Sequence, residues 1–201
     1  RVAQEWNANN KPAAIIYAFL THHTHRSIGD PRWMLSNYLH NPPWSVIRGI
    51  PFARLNGLGE LEVHPPTFYF RWPLREYSAL ITLAEKAFVD FTWKISPQEM
   101  EKIVSRLFIR FRDIARSKGV PVYVVSVIMQ PCDFSRYKSQ VVPRDMPFVN
   151  CSHLDWPSQR LRVPNDGHPT AEVHAFYAKG ILENVIPDLR KKLSRLRDGL
   201  S

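Results

Sequence analysis

Residues 96–129 leave the fold the least freedom. Ser96-Pro97-Gln98-Glu99 supplies a capping hydroxyl, a proline for the first helical turn and an acid at the third position. Met100, Ile103, Val104, Leu107, Phe108, Phe111 and Ile114 then recur at helical spacing, which predicts a helix to about Ser117, closed by Gly119. Val120 to Met129 follows at once and carries no charge. Such a run reads as a strand buried on both faces. A helix feeding a strand of this kind is the αβ unit of a parallel sheet.

The rest of the chain extends that unit. Ala13 to Leu20 is a second apolar run, read as a buried strand. It ends in Thr21-His22-His23-Thr24-His25-Arg26, expected as a loop at the strand's carboxyl end, the edge where open α/β sheets bind ligands. Phe148 to Leu154 is the third strand expected, and 80–91, 169–182 and 186–197 read as helices. Residues 31–77 differ in character, with many prolines and aromatics. Within them, Phe52 to Leu55, a turn at Asn56-Gly57-Leu58-Gly59, and Leu61 to Val63 predict a β-hairpin. We read 31–77 as an insertion or lid within one domain spanning 1–201.

The chain has 201 residues, 44% hydrophobic and 22% charged, enough apolar material for a core and too little charge for wholesale disorder. No apolar run is long enough to cross a bilayer. The net charge of +9 admits an anionic partner. Its clearest local source is Arg190-Lys191-Lys192 with Arg195 and Arg197, on the terminal helix. No nucleic-acid-binding signature surrounds it, so a solvated helix face or contact with a membrane surface is the reading preferred over nucleic acid. Cys132 and Cys151 are too few to fix a redox compartment.

The chemistry concentrates in Asn165-Asp166-Gly167-His168-Pro169-Thr170. A carboxylate can orient and charge-stabilise an imidazole, which can then deprotonate a hydroxyl. Gly167 eases the turn between them. Taken alone, Asp-Gly is also an ordinary turn dipeptide, and Pro-Thr an ordinary helix start. His174, on the following helix, reads as a structural histidine.

The Asp166-Gly167-His168-Pro169 loop, placed after a series of strands and before a helix, resembles the closing element of the SGNH (GDSL-type) hydrolases. Thr170 stands where that family usually has Asn, and Val173-His174 replaces a Gly-His pair. The resemblance implies a three-layer α/β/α sandwich of flavodoxin-like type, here without its first strands and with an inserted hairpin. It implies a serine esterase, or an O-acyl hydrolase or acyltransferase, acting through an acyl-serine intermediate without a cofactor. His168 would be the base and Asp166 its orienter. The family's Gly-Asp-Ser nucleophile block is absent here, so the serine is expected upstream of Arg1. Its oxyanion asparagine should fall at 18–22, where this chain has none. Thr21 or His22 can donate a hydrogen bond instead, and Arg26 can meet an anionic substrate group. The implied partner is a small-molecule, glycan or lipid ester.

Two other readings stand beside it. The aromatic-rich insertion suits a non-catalytic module binding glycan or a partner protein, although aromatics also serve a small hairpin's own packing. His22, His23 and His25, with His40, His64 or Asp30, suggest a metal-dependent hydrolase, but no spaced metal-ligand motif accompanies them. Ser27, Ser126 and Ser152 lie near strands, and none sits in a nucleophile motif.

Overall fold

The computed structural model describes residues 12–38, 51–66, 72–152, 158–164 and 168–198. The described residues are mixed α/β and divide into two compact units. Arg1–Thr21 and Phe108–Ser201 make the first, and His22–Leu107 the second. The second unit thus takes in more of the chain than 31–77.

In chain order the elements are β1 (Ile15–Leu20), α1 (His22–Ser27), α2 (Pro31–Tyr38), β2 (Phe52–Leu55), β3 (Leu61–His64), α3 (Ala79–Thr92), α4 (Pro97–Ser117), β4 (Val122–Ile128), α5 (Pro131–Gln140), β5 (Phe148–Asn150), α6 (Ala171–Asn184) and α7 (Ile186–Asp198).

In the first unit β1, β4 and β5 form a parallel sheet in that spatial order. Its central strand β4 is buried almost throughout, as an uncharged run between two neighbours must be. Tyr123, Val125 and Val127 point to one face and pack with Cys151, Leu161, Val173 and Tyr177. Tyr17 and Phe19 pair with Val124 and Ser126 and so share the opposite face. There the Phe19 ring lies 5.3 Å from Phe108 of α4 and 5.4 Å from Tyr137 of α5. Each fully buried valine of β4 contributes roughly 1.5–3 kcal/mol of apolar burial. The expectation of a buried β1 is corrected: Ile16 and Tyr17 are exposed, because β1 is an edge of the described sheet.

The start of α4 is as the sequence predicts, with the Glu99 amide donating to Ser96 Oγ at 3.2 Å. Its end is a Schellman turn. Gly119 has φ 62°. Its amide donates to the Arg116 carbonyl, and that of Val120 to the Ala115 carbonyl, both at 2.9 Å. Among the later elements, Gly180 of α6 lies against the residue that follows β5, and a Cβ there would lie 2.8 Å from Cys151 Sγ. Cys132 and Cys151 are both free thiols.

In the second unit β2 and β3 pair as the expected antiparallel hairpin. Asn56 Oδ1 holds its turn by accepting the amides of Leu58 at 3.0 Å and Glu60 at 2.9 Å. Ile28, Ala53, Met100 and Ile103 form the buried core here. Helix α3 turns Glu85 and Val89 inward and leaves Leu80, Leu83, Phe88 and Phe91 exposed. Among the described residues, no helix is long and apolar enough to cross a membrane.

Candidate functional site

Parallel strands bring their carboxyl ends to one edge, and here that edge carries Ser126, Asn150 and Ser152. Ser126 pairs with Asn150 across β4 and β5. Ser126 Oγ donates to Asn150 Oδ1 at 3.0 Å, and the Ser152 amide donates to the same oxygen at 3.0 Å. A backbone N–H can only donate, so the accepting atom is the amide oxygen and the orientation of the Asn150 amide is fixed. Its NH2 group is left as a pre-oriented donor on an exposed residue. Ser152 Oγ lies 3.2 Å from Ser126 Oγ and accepts the Met129 amide at 3.0 Å. Both serines are buried and engaged, so neither is an available nucleophile.

His168 lies downstream of this edge, between a 3-10 turn at Gln159–Leu161 and α6. Its carbonyl accepts the Val163 amide at 2.8 Å, and the Thr170 amide donates to the Leu161 carbonyl at 3.0 Å. Arg162 and Pro169 thus form an isolated bridge that pins the backbone on both sides of His168. The His168 residue is exposed. Asp166, its expected orienter, falls within 165–167, outside the described residues. His174 stands edge-on to Tyr177, with ring centroids 5.9 Å apart. Burial pushes the Tyr177 phenol up to about 12.

The other expected contacts divide between the units. Thr21 follows β1 in the first unit, whereas His22 and Arg26 lie on α1 in the second. The polar loop expected at 22–26 is therefore corrected to a helix. Arg26 lies over the Trp33 ring at 5.9 Å. Burial, then Arg26 and His25, lower the pKa of His22. Burial, then His22 and Arg26, hold that of His23 at about 4. Among the described residues no three His, Cys, Asp or Glu side chains are grouped to hold a metal. His64 stacks on Phe52 at 5.0 Å, and His40 lies outside the described residues.

Sequence reading missed an imidazole–carboxylate contact in this second unit. His25 Nδ1 and Asp30 Oδ2 are 2.7 Å apart. Helix α1 ends in a Schellman turn at Gly29, φ 61°, whose closing bond runs from the Asp30 amide to the His25 carbonyl at 3.0 Å. That turn brings the sixth residue, Asp30, back onto the first, His25. Asp30 also caps α2, accepting the Arg32 amide at 2.9 Å, and its Oδ2 accepts the Arg32 guanidinium at 2.8 Å. Burial would raise the Asp30 pKa, but the bonds from Arg32 and His25 outweigh it and hold the pKa below the usual aspartate value. The Asp30-Pro31 pair was the available signal, as a cap residue before a first-turn proline. The contact gives His25 one fixed ring nitrogen and the other for further bonding.

No protein-family model matches the chain, and comparison with curated proteins and with solved structures returns no match.

Proposed function

We propose that this chain is the base-bearing part of a serine acyl hydrolase of SGNH type, built on a three-layer α/β/α sandwich. The observation that carries the reading is the placement of His168. It sits on an exposed, backbone-pinned loop between the last described strand and the last pair of helices. Two further features support it. The sheet order β1-β4-β5 suits the third to fifth strands of a flavodoxin-like sheet. Packing of α4 and α5 on one face and α6 on the other suits three layers.

In this reading His168 takes the proton of a serine supplied upstream of Arg1 and returns it to the leaving alcohol, with Asp166 stabilising the imidazolium. Asn150 offers the oriented amide donor absent from 18–22, at the edge where developing oxyanion charge would be met. The substrate class is an ester of a hydroxyl group. The test is labelling of the full-length protein by a fluorophosphonate probe, with hydrolysis of a short p-nitrophenyl ester. His168→Ala is expected to lower turnover by about 10³-fold or more. Asn150→Ala is expected to lower it by about 10²-fold. A folded full-length protein that neither labels nor turns over rejects the reading in favour of a binding module.

A further inference from the structure

The second unit holds a cavity of about 320 Å³ beside α3. Leu35 and Val89 give it apolar walls, and Arg32, Arg75 and Lys86 give it cations, against the carboxylates of Glu85 and Asp90. Its size lies at the lower end of the range for small-molecule sites.

The charges on its wall are not equally occupied. Glu85 is completely buried. Its Oε1 accepts the Trp72 amide at 3.0 Å, and Arg75 Nε lies 2.9 Å from its Oε2. The Oε1 is thus hydrogen-bonded, while Oε2 is held by the ion pair, without a hydrogen bond. Arg32 is committed to Asp30. Arg75 differs: its side chain is only 11% exposed, yet its buried Nη1 has no hydrogen-bond partner. A donor shut away from bulk water and left unpaired is destabilising, because it has given up its bonds to water without replacement. An acceptor seated in the adjoining cavity would relieve that penalty after a small turn of the guanidinium. A carboxylate fits best, because it accepts two parallel bonds from a guanidinium. Leu35 and Val89 then require an apolar remainder.

We propose that this cavity binds a small monocarboxylate with a short aliphatic tail, its head on Arg75 and its tail against Leu35 and Val89. The proposal does not rest on the hydrolase reading. Nor does it involve the first unit.

The probes are hexanoate, hexan-1-ol and hexylammonium, titrated by calorimetry or by backbone amide shifts. Hexanoate is expected to saturate at or below the millimolar range, with hexan-1-ol at least about tenfold weaker and hexylammonium weaker still. Arg75→Gln alone strands the buried Glu85 charge and threatens folding. The decisive variant is therefore the double substitution Arg75→Met with Glu85→Met, which removes the pair together. Once its melting curve shows it folded, it is expected to lose hexanoate binding by at least about tenfold. Three results would overturn the site: no saturation by hexanoate, hexylammonium binding as tightly, or unchanged hexanoate affinity in the folded double variant.

Discussion

Gly180 faces Cys151 so closely that a Cβ would lie 2.8 Å from Sγ and 3.3 Å from the cysteine Cβ. In an unconstrained helix Gly→Ala stabilises by about 0.5–1 kcal/mol. Here the sign should reverse. Gly180→Ala is expected to destabilise by about 1–3 kcal/mol through overpacking. Cys151→Ala removes the sulfur and should recover most of that loss in the double variant, read as a coupling energy from denaturation midpoints.

The low pKa of His23 makes stability depend on pH. The folded chain resists protonation down to about 4, whereas an ordinary histidine takes a proton near 6.5. Between those values the unfolded state binds more protons, so stability falls as the solution is acidified. His23 is only half-buried, and solvent screening reduces its share to about 1 kcal/mol. His23→Gln should flatten the stability profile between pH 6.5 and 4. A profile as steep as wild type would assign the dependence to other groups.

Asp30 supports two helix ends and two side chains. Asp30→Ala removes the α2 cap and leaves His25 and Arg32 without their shared carboxylate. The expected loss is about 2–4 kcal/mol. Asp30→Asn keeps an acceptor for the Arg32 amide but loses the charge, and should fall between Ala and wild type in urea denaturation.

Helix α3 should respond very differently on its two faces. Val89 is 2% exposed and Leu80 is 77% exposed. Val89→Ala is expected to lose roughly 1–3 kcal/mol. Leu80→Ser should change stability by about 0.5 kcal/mol or less, as measured by thermal melting. Equal losses would mean that the outer face is covered in solution.

Legibility in the sequence followed the strength of local signals. Helix α4 carried a cap, a period and a terminating glycine, and β4 carried an unbroken apolar run. Both could be read directly. Helix α5 could not, because Pro131–Gln140 buries little beyond Tyr137 and its polar residues mask the period. Helix α1 read as a loop because its histidines and threonine suggest no apolar stripe, and Thr24 is its single buried residue. The exposure of β1 depends on which strands flank it, a tertiary property. In the candidate site, His168 stood out through its loop motif. The fixed amide of Asn150 depends on Ser126, on a neighbouring strand, and on Ser152 two residues ahead, so no local motif announces it.

One residue closes α1 and opens α2, and this ties the two helices dynamically. The Asp30 amide completes the first helix while its carboxylate and carbonyl begin the second. Neither end can fray without releasing the other. The amides of Asp30, Arg32 and Met34 should therefore exchange with deuterium at one common opening free energy, as a single cooperative unit. Two short helices of 6 and 8 residues, each too brief to persist alone, thus gain the opening behaviour of one longer element.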